Sequence, residues 1–239
     1  MSLPSFLTIT RGEAPLLVSL PHTGTEIPEE YVAGLVSPWL ARKDCDWWVE
    51  RLYDFAAGLG ATVIHTSISR TVIDVNRDPS GASLYPGQAT TELVPTTTFD
   101  GEPLYAPGRE PDSDSISRRK ALFFEPYHRA LADEIARLRA LHPHIVVYDC
   151  HSIRSVIPRL FEGTLPEFNI GTNGGVTCDP ALESAVAELC RASGRSTVVN
   201  GRFRGGFITP ATTAGPRTGS MPSRWSSPAA ATCASRSAP

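Results

Sequence analysis

Two short stretches of the chain place histidine in polar company after an apolar run: "SLPHTG" carries His22, and "YDCHS" carries Asp149, His151 and Ser152. Two neutral imidazoles with a nearby carboxylate are the donor set of a divalent metal, nitrogen from His and oxygen from Asp or Glu. Asp46 and Asp44, just ahead of a helical pattern, are the nearest candidates for the third ligand, and Asp74 in "VIDVNRDP" is another. Taken singly, each histidine reads as a hydrogen-bonded structural residue and Asp46 as a helix N-cap; the joint pattern is what points to a metal.

Arg70, Arg77, Arg202 and Arg204 lie in "SRTVIDVNRDP" and "NGRFRGG" with Asn76 and Asn200 as neutral partners. Guanidinium forks bind carboxylates through two parallel hydrogen bonds, so several of them beside a metal suit an acidic substrate. Gly201, Gly205 and Gly206 allow a backbone to approach a ligand closely or simply make a turn. No GxSxG elbow, GxxxxGK[ST] loop or HExxH helix is present, and "RFRGGF" lacks the strand-then-helix setting of a dinucleotide fingerprint. The remaining histidines, His65, His128, His142 and His144, are assigned no catalytic role.

The elements that must position these residues follow from the apolar pattern. Pro15 to His22 reads as a buried strand stopped by proline, and His144 to Ser152 as another ending in polar residues. In an α/β sheet such strand ends converge on one edge. From Asp46, the spacing of Trp48, Leu52, Phe55, Ala56 and Leu59 predicts an amphipathic helix ending near Gly58 and Gly60. "ATVIHTSISRTVIDVNRDP" predicts one or two strands. Residues 79–114 are too long and irregular for a simple connector and read as a loop over the site. The longest helix follows, with Tyr127, Leu131, Ile135 and Leu138 on one face and Pro126 implying a break near its start. "PEFNIGT" is a further strand, and Asp179, Pro180 and Gly194 bound a last helix before a final strand. The order β, α, β, α, β, β, α, β is that of an α/β sandwich with a parallel sheet.

With 239 residues, 41% hydrophobic and 20% charged, the chain can bury one substantial core. Its formal net charge of -3, with acids and bases interspersed, offers no footprint for nucleic acid or an anionic membrane, so small molecules are the expected partners. No leader pattern or long apolar run is seen, which reads as a cytoplasmic, unanchored protein. The five cysteines form no CxxC pair and argue against a disulfide framework or a thiolate zinc site.

Set in order, "LVSLPHTGTEIP", "DCDWWVERLY", "SRTVIDVNRDPSG", "LFFEPYHRAL", "YDCHSIRS" and "NGRFRGGFIT" resemble the N-formylglutamate amidohydrolase (N-formylglutamate deformylase) family, from about Pro15 to Thr209. The resemblance implies hydrolysis of N-formyl-L-glutamate to formate and L-glutamate in bacterial histidine catabolism. It also implies a three-layer α/β sandwich of phosphorylase/hydrolase type, with a mostly parallel sheet, related to the zinc exopeptidases. By motif, His22, Asp46 and His151 correspond to the catalytic metal ligands, the ion being Zn2+. Arg70, Asn76, Arg77, Asn200, Gly201 and Arg202 correspond to the substrate-binding wall. Asp149, two residues before His151, shares its face on a regular strand and can orient the ring from behind. The alternatives are a hydrolase of another N-acyl amino acid and a non-catalytic binding protein for acidic amino acids.

The chain departs from the resemblance after Thr209. Family members continue with a segment like "RHYGRPEDGIHAVQMELARRGYMRE", whose glutamate resembles a general base; here the sequence runs "PATTAGPRTGSMPSRWSSPAAATCASRSAP". Joining the third base of each codon to the first two of the next permits Arg, His, Tyr, Gly, Arg and Pro over Pro210 to Pro216. It permits Ile-His-Ala-Val-Gln-Met-Glu-Leu over Gly219 to Ser227, and the single codon of Met221 forces the alanine. The expectation is an amidohydrolase domain over 1–209 and a disordered tail over 210–239 produced by a change of reading frame. Without that glutamate, the chain as written is expected to have little deformylase activity.

Overall fold

The computed structural model describes residues 3–80, 91–208 and 229–235. Four strands come from the N-terminal two thirds: β1 (Leu7–Thr10), β2 (Leu16–Leu20), β3 (Thr62–Thr66) and β4 (Val146–Ser152). Then follow β5 (Phe168–Gly171), β6 (Thr197–Val199) and β7 (Ala229–Ser235). They make one sheet in the order β1-β3-β2-β4-β7-β5-β6. β2 pairs in parallel with β3 and β4, β4 with β7, and β5 with β6; only β1 with β3 and β5 with β7 are antiparallel. The expected mixed α/β architecture with a mostly parallel sheet is therefore present.

Alternation along β2 separates two apolar clusters. Leu17 joins Ile64, Val147 and the face of α5 (Glu125–Leu141) that carries Tyr127, Leu131 and Leu138. Val18 and Leu20 turn the other way, toward Val49, Ala56 and Cys150. Side chains two apart on a strand share a face, so helices cover both sides of the sheet. α5 continues α4 (Ser113–Arg119), whose N-cap Asp112 accepts a hydrogen bond from the Ser115 amide. A π-helical turn, Lys120–Phe124, separates the two helices just before Pro126. The disruption expected from the proline thus takes the form of a wide turn rather than a break.

The helix predicted from Asp46 is different. It consists of two single turns, α2 (Val49–Leu52) and α3 (Phe55–Gly58), after a first short helix α1 (Glu29–Val32) that the apolar pattern did not announce. Trp48, Leu52, Phe55 and Leu59, expected inside, are exposed, while Val49 and Ala56 are buried. The reason is local: Trp48 takes a left-handed conformation with φ 60° and breaks the helical register before it begins. β1 was likewise not foreseen, and "SRTVIDVNRDP" forms buried irregular backbone rather than a second strand. α6 (Pro180–Ala192) starts as expected, with the Asp179 carboxylate accepting from the Ala181 amide and Gly194 at φ 77° beyond its end.

Part of the tail, Ala229–Ser235, forms a strand. That segment, β7, lies between β4 and β5 and is in register with Val146 through Ser152 along its whole length. Both neighbouring strands otherwise present unpaired amides and carbonyls at a sheet edge, and a strand inserted there satisfies them. Thr209 and the rest of the tail, 210–228 and 236–239, lie outside the described residues, as does part of the predicted loop, 81–90. Among the described residues no helix is long and apolar enough to cross a membrane. Cys45, Cys150, Cys178 and Cys190 are free thiols.

Candidate active site

Three segments deliver the central residues. β2 ends at Leu20, and His22 follows in the loop at its C-terminal end; Asp46 lies ahead of α2; His151 sits near the end of β4. The Asp46 amide donates to the His22 carbonyl at 2.9 Å, tying the first two segments together. The ligand atoms of His22, Asp46 and His151 all lie within 4.8 Å of one another, close enough to share one ion. Asp46 Oδ2 is 3.1 Å from His151 Nδ1 and 3.8 Å from His22 Nδ1.

The far nitrogens of both rings face carboxylates. His22 Nε2 donates to Asp74 Oδ1 at 2.6 Å, and His151 Nε2 lies 2.9 Å from Asp149 Oδ2. Each ring therefore turns Nδ1 toward Asp46, with the Arg70 guanidinium also beside Nδ1 of His22; a carboxylate behind the far nitrogen is the arrangement that orients a metal-ligating histidine. Asp149 is itself held by the Ser19 hydroxyl at 2.8 Å, and Ser19 reaches the Tyr127 hydroxyl at 2.9 Å. Asp74 receives Arg70 Nη2 at 2.5 Å.

This packing polarises the site. Burial and the adjacent Arg70 hold the His22 pKa below its ordinary value, so the ring is neutral. Arg70 Nη1 lies 3.3 Å from His22 Nδ1, which accepts from it and thus carries the lone pair. Burial alone would lower His151 too, but Asp149 and Asp46 on either side raise it to about 10. For Asp74, burial is outweighed by Arg70 and His22, which keep its carboxyl well below the usual carboxylate range.

Of the alternatives for the third ligand, the geometry separates Asp46 from the others. Asp44 turns away to accept from the Phe99 amide at 2.7 Å and from Arg154. Asp74 stands behind His22 rather than beside its inner nitrogen.

A cleft with about 790 Å³ of empty space opens over the three residues. Its wall includes Arg70, Asn76, Arg77 and Arg202 from the predicted set, together with Thr91 and Phe99 from the long loop and Phe203, Gly205 and Gly206. Arg77 Nη2 donates to Thr91 Oγ1 at 3.0 Å, and Arg202 Nε donates to the Leu160 carbonyl at 3.1 Å. Arg70 is buried, its guanidinium occupied by Asp74 and lying over the Phe99 ring. Asn200 and Gly201, also predicted for the wall, do not line the cleft. Asn200 adopts φ 51° and spends its amide on the loop that follows β5, accepting from the Thr172 and Gly174 amides and donating to Thr172 Oγ1. Asp46 is the sole carboxylate among the described residues that line the cleft.

Sequence reasoning missed the service of Asp74 as the partner of His22 and the Ser19–Tyr127 support of Asp149. A serine inside the apolar run "LLVSL" was the available signal, since a buried hydroxyl needs a partner.

Residues 14–220 match the family described as N-formylglutamate amidohydrolase. The chain belongs to that family. An N-formylglutamate deformylase of Pseudomonas aeruginosa is 48% identical over 204 residues, covering 85% of this chain and 76% of its own length. One from Pseudomonas putida is 45% identical over the same shares. The fold is similar to the crystal structure of N-formylglutamate amidohydrolase from Ralstonia eutropha JMP134, with TM-score 0.77 at 22% identity over 98% of this chain and 86% of that one. It is also similar to gene product Atu2144 of Agrobacterium tumefaciens, with TM-score 0.68 at 19% identity over 98% and 85%.

Proposed function

We propose that this site is built for metal-dependent hydrolysis of N-formyl-L-glutamate to formate and L-glutamate, a step of histidine catabolism carried out in the cytoplasm. The same reading relates the fold to the zinc exopeptidases. The observation that carries it is the His22–Asp46–His151 cluster at the floor of an arginine-bearing cleft, in a chain 48% identical to a protein of that name. Two imidazoles and one carboxylate suit Zn2+ with a position left open. When bound, such an ion polarises a carbonyl and lowers the pKa of a water.

The remaining tasks belong to the protein's own groups. Arg77 and Arg202 face the cleft and receive the two carboxylates of the substrate. Arg70, paired to Asp74, supplies fixed positive charge behind His22 rather than a free fork. Phe99, Leu160 and Phe203 keep the walls apolar, which strengthens each polar contact made inside. Arginine forks matched to two carboxylates favour N-formylglutamate over a neutral N-acyl amino acid.

Hydrolysis also needs a proton acceptor, and Asp46 cannot serve while it holds an ion. We assign that role to the glutamate of "IHAVQMEL", which a shifted reading frame permits across Gly219 to Ser227. A strand occupying the slot between β4 and β5, parallel to β4, ends beside His151 and Ser152, as β7 does. The chain as written lacks that glutamate and binds the substrate without turning it over at an ordinary rate.

The nucleotide sequence across the Thr209 codon, followed by formate release from the chain as written and from the frame-restored protein, tests this reading. Restoration should accelerate hydrolysis at least about a hundredfold, the scale of a lost general base. Equal rates would show that the base has been misassigned.

A further inference from the structure

Asn76 stands between the two halves of the site, and its bonds run to the groups behind the histidines. Its backbone amide donates to Asp74 Oδ1 at 2.9 Å, and its side-chain Nδ2 donates to Asp149 Oδ2 at 2.9 Å. Those are the carboxylates that hold His22 and His151. Nδ2 also lies 2.9 Å from His151 Nε2, so the amide sits in the fork between the ring and its carboxylate. The orientation of the amide is set from its other side, where Oδ1 accepts from the Ile208 amide at 2.9 Å. The Phe207 amide donates to the Asn76 carbonyl at 3.2 Å.

The surroundings leave the side chain no freedom to turn toward a ligand. Asn76 is 4% exposed. A Cβ at Gly206 would stand 2.2 Å from both amide atoms, so glycine there is what lets the 206–208 backbone close on the amide. The residue type fits this setting. An aspartate would put a second carboxylate against Asp149 with no proton to share. A longer amide would overrun the space that Gly206 leaves.

We infer that Asn76 is a positioning residue that couples the Asp74–His22 and Asp149–His151 pairs and so sets the metal site, rather than a contact to the substrate. The inference rests on the metal-centre reading above. It replaces the substrate-wall role expected for Asn76 from family resemblance, while leaving Arg77 and Arg202 in that role.

The test measures Zn2+ affinity of the full chain by competition with a chromophoric chelator, and L-glutamate affinity at saturating Zn2+ by calorimetry. Asn76→Ala should bind Zn2+ about 10- to 100-fold more weakly, the usual cost of removing a partner behind a ligand. Its glutamate affinity should stay within about twofold of the parent. Because Asn76 acts through Asp149, the loss should largely vanish when Asn76→Ala is made in an Asp149→Ala background, a non-additivity that a general structural defect would not produce. If Asn76→Ala does not fold, Asn76→Ser takes its place with the same expectation. Unchanged Zn2+ affinity with weakened glutamate binding overturns the inference, as does a simple sum in the double variant. No Zn2+ binding by the parent chain overturns the metal-centre reading itself and the inference with it.

Discussion

His22 Nε2 donates to Asp74 Oδ1 at 2.6 Å, and Asp74 in turn takes Arg70 Nη2 on its other oxygen. The imidazole and the guanidinium are both buried, so one carboxylate compensates a buried cation and fixes a candidate ligand at the same time. Breaking one member of such a group strands the others.

Asp74→Ala should accordingly lose both stability and metal affinity. With Arg70 left uncompensated, a loss on the order of 3 kcal/mol is expected, read from urea unfolding of the metal-free protein. Zn2+ affinity should fall by about 10- to 100-fold. A variant that keeps parental stability would remove Asp74 from the centre of the account.

Stability should also depend on pH through a histidine outside the cluster. His128 is buried against Phe124 and Phe207, its Nε2 donates to the Val75 carbonyl at 2.8 Å, and burial lowers its pKa to about 4. The folded state thus disfavours the charged ring. Its contribution is complete above the ordinary value of 6.5 and is lost as pH falls from there toward about 4. The full loss is about 3 kcal/mol. Urea unfolding at a series of pH values should show a shallower decline for His128→Gln than for the parent. Resonances of the His128 ring titrating near 6.5 in the folded protein would contradict the prediction.

The sheet and the grouping of His22, Asp46 and His151 were legible in the sequence because they depend on short-range signals. "PLLVSLPH" and "HIVVYDCHS" are apolar runs ending in polar residues, and parallel strands bring such ends together by construction. His22, Asp46 and His151 could be named on that basis and on family resemblance. Other features depend on tertiary closure. Trp48 enters the left-handed region, and the turns after it bury Val49 and Ala56 while leaving Leu52, Phe55 and Leu59 exposed, which no periodicity records. Asn76 and Asn200 look alike in sequence, yet one clamps two carboxylates and the other ties the end of β6 to the loop after β5. Their difference is set by which segments fold over them, Gly206 through Ile208 in the first case. The strand at Ala229–Ser235 follows from the open edges of β4 and β5 rather than from its own composition.

The proposed function requires that His22, Asp46 and His151 together hold one divalent ion. Its most direct measurement is Zn2+ stoichiometry and affinity of the full chain, set against Asp46→Ala. One ion per chain should bind to the parent, and Asp46→Ala should lose that binding while remaining folded. Absence of binding by the parent, or equal binding by Asp46→Ala, would contradict the account.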